Sequence, residues 1–218
     1  MNLAVFFDDV RHSLFKGKLT AKQVSGMEFI LEQWSETGFS NRQWLAYALA
    51  TAFHETAFTM QPIREYGRGK GRQYGRKDPK TGQTYYGRGY VQLTWKFNYE
   101  KAGQALGIDF VRKPDLVMEP ENAAFIMFQG MKDGWFTGKC FDDYINSKQR
   151  DYWNARRIIN GTDTAGRIAD YAIRFEAALD TAHQAPKEPP ALPMPTTPET
   201  QNHWLARLLL ALWRAFRR

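Results

Sequence analysis

Cysteine is nearly absent from this 218-residue sequence, which has Cys140 alone. No intramolecular disulfide can form, nothing points to folding in an oxidising compartment, and a buried structural thiol is the expected state of Cys140. Histidine is also scarce: His12, His54, His183 and His203 lie far apart and form no ligand cluster, so neither a metal nor any other cofactor is expected. Long apolar runs are missing, and nothing approaches the roughly 18 residues of a membrane span. The opening MNLAVFFDD has a short apolar run that meets Asp8 and Asp9. It lacks the basic start and the roughly 7–15 apolar residues of a cleaved leader, so synthesis into the cytoplasm is expected. No internal repeat is visible.

What is present suits one globular domain with an appendage. Hydrophobic residues make up 43% of the chain and aromatics 15%, enough for a sizeable core. The net charge of +7 favours an anionic partner, whether nucleic acid, an acidic membrane face or a cell-wall polymer. Nucleic acid is disfavoured, because the cations gather in one glycine-rich loop and in the tail, with no recognition motif. A monomer is expected.

Helix signals dominate. Thr20 and Gln23 form a capping box ahead of Val24, Met27, Ile30, Leu31 and Trp34 at helical spacing. A second box, Ser40 to Gln43, opens a helix expected to reach about Thr56. From Phe58 to about Tyr90 periodicity gives way to glycines and prolines, which reads as a long irregular loop or short hairpin, a kind of segment usually functional inside a domain. Helical patterns return after Leu93, after Pro120, and from about Ala165 to Ala182.

The domain is expected to span residues 1–184, followed by a proline-rich linker at 185–198, APKEPPALPMPTTP, and a basic amphipathic helix at 199–218. In that tail Leu205, Leu208, Leu209, Leu212 and Phe216 share one face, with Arg207, Arg214, Arg217 and Arg218 on another. Such a helix suits a membrane interface, with Trp204, Leu208, Leu212, Trp213, Phe216, Arg207 and Arg214 in contact. Packing on the body, or a dimer seam, would bury the same face.

Within ATAFHETAFT, residues 50–59, His54 invites a metalloprotease reading, but the position four residues later is Phe58 rather than a second ligand. His54 is expected to be a hydrogen-bonded structural residue. Glu55 sits at the edge of the apolar stripe in the last helical turn, where partial desolvation and the helix dipole both favour the neutral carboxyl, the form a general acid needs. A surface glutamate at a helix end fits the same positions. From Arg64 to Lys80, Glu65 and Asp78 lie among seven cations, which suit a base that must hold negative charge. An acid and a base set apart in this way form the working pair of a glycosidase; a solvated basic loop with incidental acids has the same composition. The block TYYGRGYVQLTWKFNY, Thr84 to Tyr99, mixes aromatic faces with amides and hydroxyls, a composition suited to sugar rings and shared with half-buried hairpins.

HETA at 54–57, YYGRGYVQLTWKFNY at 85–99 and RRIING at 156–161 together resemble glycoside hydrolase family 19, in particular its phage endolysin branch. The resemblance spans roughly Trp44 to Leu179. It implies a mainly α, lysozyme-like, two-lobed helical domain with a cleft and an inverting attack on β-1,4-linked N-acetylated aminosugar polymers. By matching positions, Glu55 resembles the general acid and Glu65 the general base, with Asp78 a substitute for the latter, and Thr94 the hydroxyl that helps hold the attacking water. Gln92, Asn98 and Asn160 resemble substrate-binding amides, and Tyr86 and Arg88 the YYGRG wall. The implied partner is the glycan strand of peptidoglycan, reached from the host cytoplasm once the membrane is breached. A bacterial chitinase of the same family, and a membrane-active basic protein acting through its tail, are the alternatives.

Overall fold

From Leu45 to Phe53 every residue is buried, nine in a row, in a helix that therefore runs through the core rather than along the surface. Alanine at 46, 48, 50 and 52 makes that possible, because small side chains let neighbouring helices approach from every side. The computed structural model describes residues 1–186, and residues 3–185 form one compact unit. Its helices are α1 (Leu3–Ser13), α2 (Ala21–Glu36), α3 (Arg42–Glu55), α4 (Lys96–Leu106), α5 (Pro120–Lys132) and α6 (Ala165–Gln184). The central helix is α3, which packs chiefly on α6, and α1 packs on α6 as well. The linker and amphipathic tail expected at 187–218 lie outside the described residues. Among those described, no helix is long and apolar enough to cross a membrane.

The helix starts follow local chemistry. Thr20 and Gln23 close the expected capping box on α2. On α3 the cap falls one residue later than expected: Asn41, not Ser40, accepts from the backbone of Gln43 at 2.9 Å and Trp44 at 3.4 Å. Pro120 takes a first-turn position in α5. The helix α1 was not anticipated, because its apolar signal is short; Phe6, Phe7 and Val10 are its buried face. Cys140 is half-buried and free rather than fully buried.

The long segment between α3 and α4 is the expected irregular hairpin. Its only ladder pairs β1 (Ile63–Arg64) antiparallel with β2 (Arg88–Gly89), Ile63 opposite Gly89 and Arg64 opposite Arg88. Arg88, almost fully buried, is the clamp inside this segment. It donates to Asp115 Oδ1 at 2.8 Å, to the carbonyls of Thr84 and Tyr86, and to the Tyr99 hydroxyl at 2.9 Å, with its guanidinium 3.7 Å from the Tyr86 ring centre. One cation thereby satisfies loop carbonyls that could not otherwise be buried.

Directly after Glu55 the chain makes a tight strap. Ala57, Phe58 and Met60 all take left-handed backbone angles, each at a cost of roughly 1–2 kcal/mol. Buried Thr56 holds the strap together, donating to the Ala52 carbonyl at 2.7 Å and accepting from the Met60 N–H at 3.1 Å. Gly26 of α2 lies against it, and any Cβ there would run into the Met60 carbonyl.

Candidate active site

Three separate stretches of chain converge on a cleft of about 460 Å3: the end of α3, the irregular hairpin up to the first turn of α4, and residues 136–160 ahead of α6. Glu55, Glu65, Gln92, Thr94, Asn98 and Asn160 all line it, so the acid, the base and four of the other residues expected from the sequence are brought together.

Glu55 ends α3 with its side chain 15% exposed. Its partner is Arg156, whose side chain is 4% exposed and which donates from Nη1 to Glu55 Oε1 at 2.6 Å. A second anchor for that guanidinium is the Asp163 carbonyl, 3.3 Å from Nε. A helix-end reading of Glu55 contained no cation, and the structure supplies one from 101 residues further along the chain. The geometry fixes one carboxyl oxygen on the guanidinium. Beside it, His54 is half-buried, with Nε2 3.4 Å from Thr164 Oγ1. Burial pushes its imidazole below the ordinary histidine value, against the pull of Glu55.

Glu65 follows β1 and lines the cleft from the irregular hairpin. Its own N–H donates to the Gly87 carbonyl at 2.7 Å, and the Gly87 N–H returns to Glu65 Oε2 at 3.2 Å. The Tyr74 hydroxyl donates to Oε1 at 3.1 Å. Burial, reinforced by that bond, raises the Tyr74 phenol above its ordinary value, so it stays a donor. Asp78 is placed otherwise. It does not line the cleft, and it pairs with Lys96 at 3.0 Å while capping its own turn through Lys80 and Thr81. The hydrogen bond from Lys96 is the largest cause that brings its carboxyl down to about 2.

The cleft amides are held by backbone carbonyls. Asn98 lines the cleft and donates to the Thr94 carbonyl at 3.0 Å, while its Oδ1 is buried with no hydrogen-bond partner. Gln92 donates to the Ile63 carbonyl at 3.2 Å from a left-handed backbone position. Two aromatics that the sequence reading left unassigned, Tyr74 and Trp95, meet edge to face at 5.5 Å on the cleft wall. Trp95 keeps 38% of its surface exposed, which presents a ring to anything in the cleft. Tyr86 and Arg88 were expected to touch substrate but do not line the cleft, since the Arg88 contacts described above turn inward. Among the described residues, no three His, Cys, Asp or Glu are grouped to hold a metal ion.

A family model for glycoside hydrolase family 19, described as chitinase class I, matches residues 45–172. The chain belongs to glycoside hydrolase family 19. Similar proteins include an endochitinase of Phaseolus vulgaris, 56% identical over 109 residues, covering 43% of this chain and 32% of the relative. Chitinase 11 of Oryza sativa subsp. japonica is 37% identical over 102 residues, 38% of each chain. An inactive chitinase-like protein of Hevea brasiliensis is 58% identical over 137 residues, 48% of this chain and 43% of that one. The chain thus spans less than half the length of these curated relatives. Chitinase C of Streptomyces griseus has the same fold, with a TM-score of 0.55 and 21% identity over 85% of this chain and 78% of that one.

Proposed function

We propose that this protein hydrolyses β-1,4 glycosidic bonds of the peptidoglycan glycan strand with inversion at the anomeric carbon, as the wall-degrading enzyme of a phage or prophage. The observation that supports hydrolysis is the position of Glu55 and Glu65, two carboxyl groups that line one cleft from different stretches of chain. Glu55 gives its proton to the glycosidic oxygen as the bond from that oxygen to the anomeric carbon breaks. A water on the opposite face of the sugar attacks the same carbon and loses its proton to Glu65, with the Thr94 hydroxyl helping to orient it. Glu55 is left as a carboxylate against Arg156 and Glu65 as the acid, and exchange with solvent restores both. Tyr74 and the Gly87 N–H keep Glu65 aimed, and Trp95 and Asn98 give the sugar an aromatic face and an amide.

Peptidoglycan is favoured as the polymer because the chain carries a net charge of +7 and has seven cations from Arg64 to Lys80, in the segment that carries Glu65. An anionic wall suits that field better than a neutral one. In this reading the protein accumulates in the host cytoplasm and reaches the wall at lysis, and the basic tail assists by contacting an anionic membrane. The competing reading is a bacterial chitinase, which the names of the relatives favour. Mass spectrometry of the fragments released from purified sacculi, beside reducing-end assays on chitin oligomers, separates the two. Release of muropeptides with new reducing sugars is the expected result, and chitin turnover with intact sacculi selects the chitinase.

A further inference from the structure

A second cavity, of about 520 Å3, lies between the turn after α1, the start of α2, the end of α3 and the first half of α6, and it shares no lining residue with the cleft. Its floor is aromatic. Phe53 meets Tyr171 edge-on at 4.8 Å, and Phe58 lies 4.6 Å from Phe53 and 6.3 Å from Tyr171. Phe58 belongs to the strap after Glu55, where its left-handed backbone, unusual for so large a side chain, leaves 44% of its surface exposed. The rim is cationic. Arg174 is already engaged by Asp170 at 2.9 Å and by the Ser13 carbonyl at 2.7 Å, whereas Lys16 and Lys18 are exposed and in no ion pair among the described residues.

We propose that this cavity is a second, non-catalytic site for the wall polymer, which takes an acidic stretch of the glycan strand, a sugar with a carboxylate on it or on its attached peptide. The inference rests on the peptidoglycan reading above. A pyranose offers an apolar face to Phe58 and Tyr171 while its carboxylate reaches Lys16 and Lys18. A neutral chitin oligomer satisfies the rings and leaves the lysines unpaired. A bilayer is a poor fit, because Phe58 is the one exposed ring of the group, with Phe53 buried and Tyr171 half-buried. The chain's own tail is a poor fit as well: residues 199–218 carry four arginines against one glutamate, so the tail would meet a rim of its own sign. A strand held here as well as in the cleft keeps the enzyme on insoluble wall and leaves the chemistry on short pieces untouched.

The test uses the full-length chain with Glu55→Gln for binding, so that the polymer survives, and the active chain for turnover. Adding Lys16→Glu and Lys18→Glu is expected to weaken co-sedimentation with purified sacculi roughly 3–10-fold at low salt, as exposed charge contacts do. Turnover of short soluble oligosaccharides by the active chain with the same two changes is expected to be unaltered. Phe58→Ser, checked by thermal melting to be folded, is expected to weaken sacculus binding too, and the Phe58 and Tyr171 ring signals in NMR should shift on adding soluble acidic strand fragments. Sacculus binding unaffected by both sets of changes overturns the second site while leaving wall hydrolysis intact. Ring signals that respond to anionic lipid vesicles and not to strand fragments overturn it in favour of a membrane. Ring signals that respond instead to Leu208→Asp assign the pocket to the tail. A Glu55→Gln chain that sediments with chitin and ignores sacculi removes the peptidoglycan reading, and this inference with it.

Discussion

Arg156 Nη1 stands 2.6 Å from Glu55 Oε1, so the carboxyl group at the end of α3 is oriented by a residue 101 positions away. Fixing one oxygen on a buried guanidinium leaves the other free to face the cleft. In the proposed mechanism it also provides a counterion for the carboxylate that proton donation creates.

Arg156→Lys keeps the charge and loses the planar fork, so Glu55 should turn out of line. Turnover on sacculi is expected to fall about 10²-fold, the scale of a misplacement near 1 Å. The apparent KM should stay within roughly twofold, because the ground-state contacts with sugar lie elsewhere in the cleft. A loss confined to KM would assign Arg156 to substrate binding instead.

Glu65 and Asp78 can be told apart directly. Glu65→Gln is expected to lower turnover by about 10²–10⁴-fold through loss of the general base. Asp78→Asn should leave turnover within about twofold, since Asp78 serves its own turn and Lys96. The reverse ranking, measured by reducing-end release, would reassign the base.

Removal of the Arg88 clamp should cost stability first and activity second. Arg88→Ala strands the carbonyls of Thr84 and Tyr86 and leaves Asp115 to Arg64 alone. The expected loss is about 3 kcal/mol, the low end for a buried pair because Asp115 is itself largely exposed. Denaturant unfolding measures it.

The same pair predicts an acid limb to the stability curve. Burial works against the Asp115 carboxylate, but hydrogen bonds from Arg64 and Arg88 outweigh it and hold its pKa below the ordinary aspartate value of 3.8. A lowered folded-state pKa contributes stability that is complete above about pH 4 and fades as pH falls below that toward the folded value. Asp115→Asn should therefore flatten the pH dependence of melting below about pH 4 and leave its shape near neutrality alone.

Gly26→Ala tests the strap. A methyl group there meets the Met60 carbonyl, so overpacking should cost about 1–3 kcal/mol and disturb the turn that follows Glu55. Calorimetry should show a lower Tm together with reduced turnover, whereas an unchanged melt would mean that α2 can move aside.

How much of this was legible in the sequence depended on range. The Thr20 capping box and the Pro120 start are short-range signals, and both formed as read. Asn41 displaced Ser40 because two adjacent residues could each cap, and only the backbone trajectory chooses between them. Glu55 stood out through its position at a helix end. Arg156 did not, because its partner lies far off in sequence and its own neighbourhood, ARRII, shows only two arginines among apolar residues. Arg88 was assigned outward for the same reason: its burial depends on Asp115 and Tyr99, which no local pattern links to it. Tyr74 and Trp95 could have been suspected as aromatics beside glycines and left-handed turns, but their meeting required the folded hairpin.

The most direct test of the central claim is proton NMR of the sugar released in the first minutes of digestion, before the anomers equilibrate. Single displacement by a water on Glu65, with Glu55 as acid, predicts that the α-anomer appears first from the β-linked strand and that either Glu55→Gln or Glu65→Gln abolishes it. The β-anomer appearing first, or release that survives Glu55→Gln, would contradict the account.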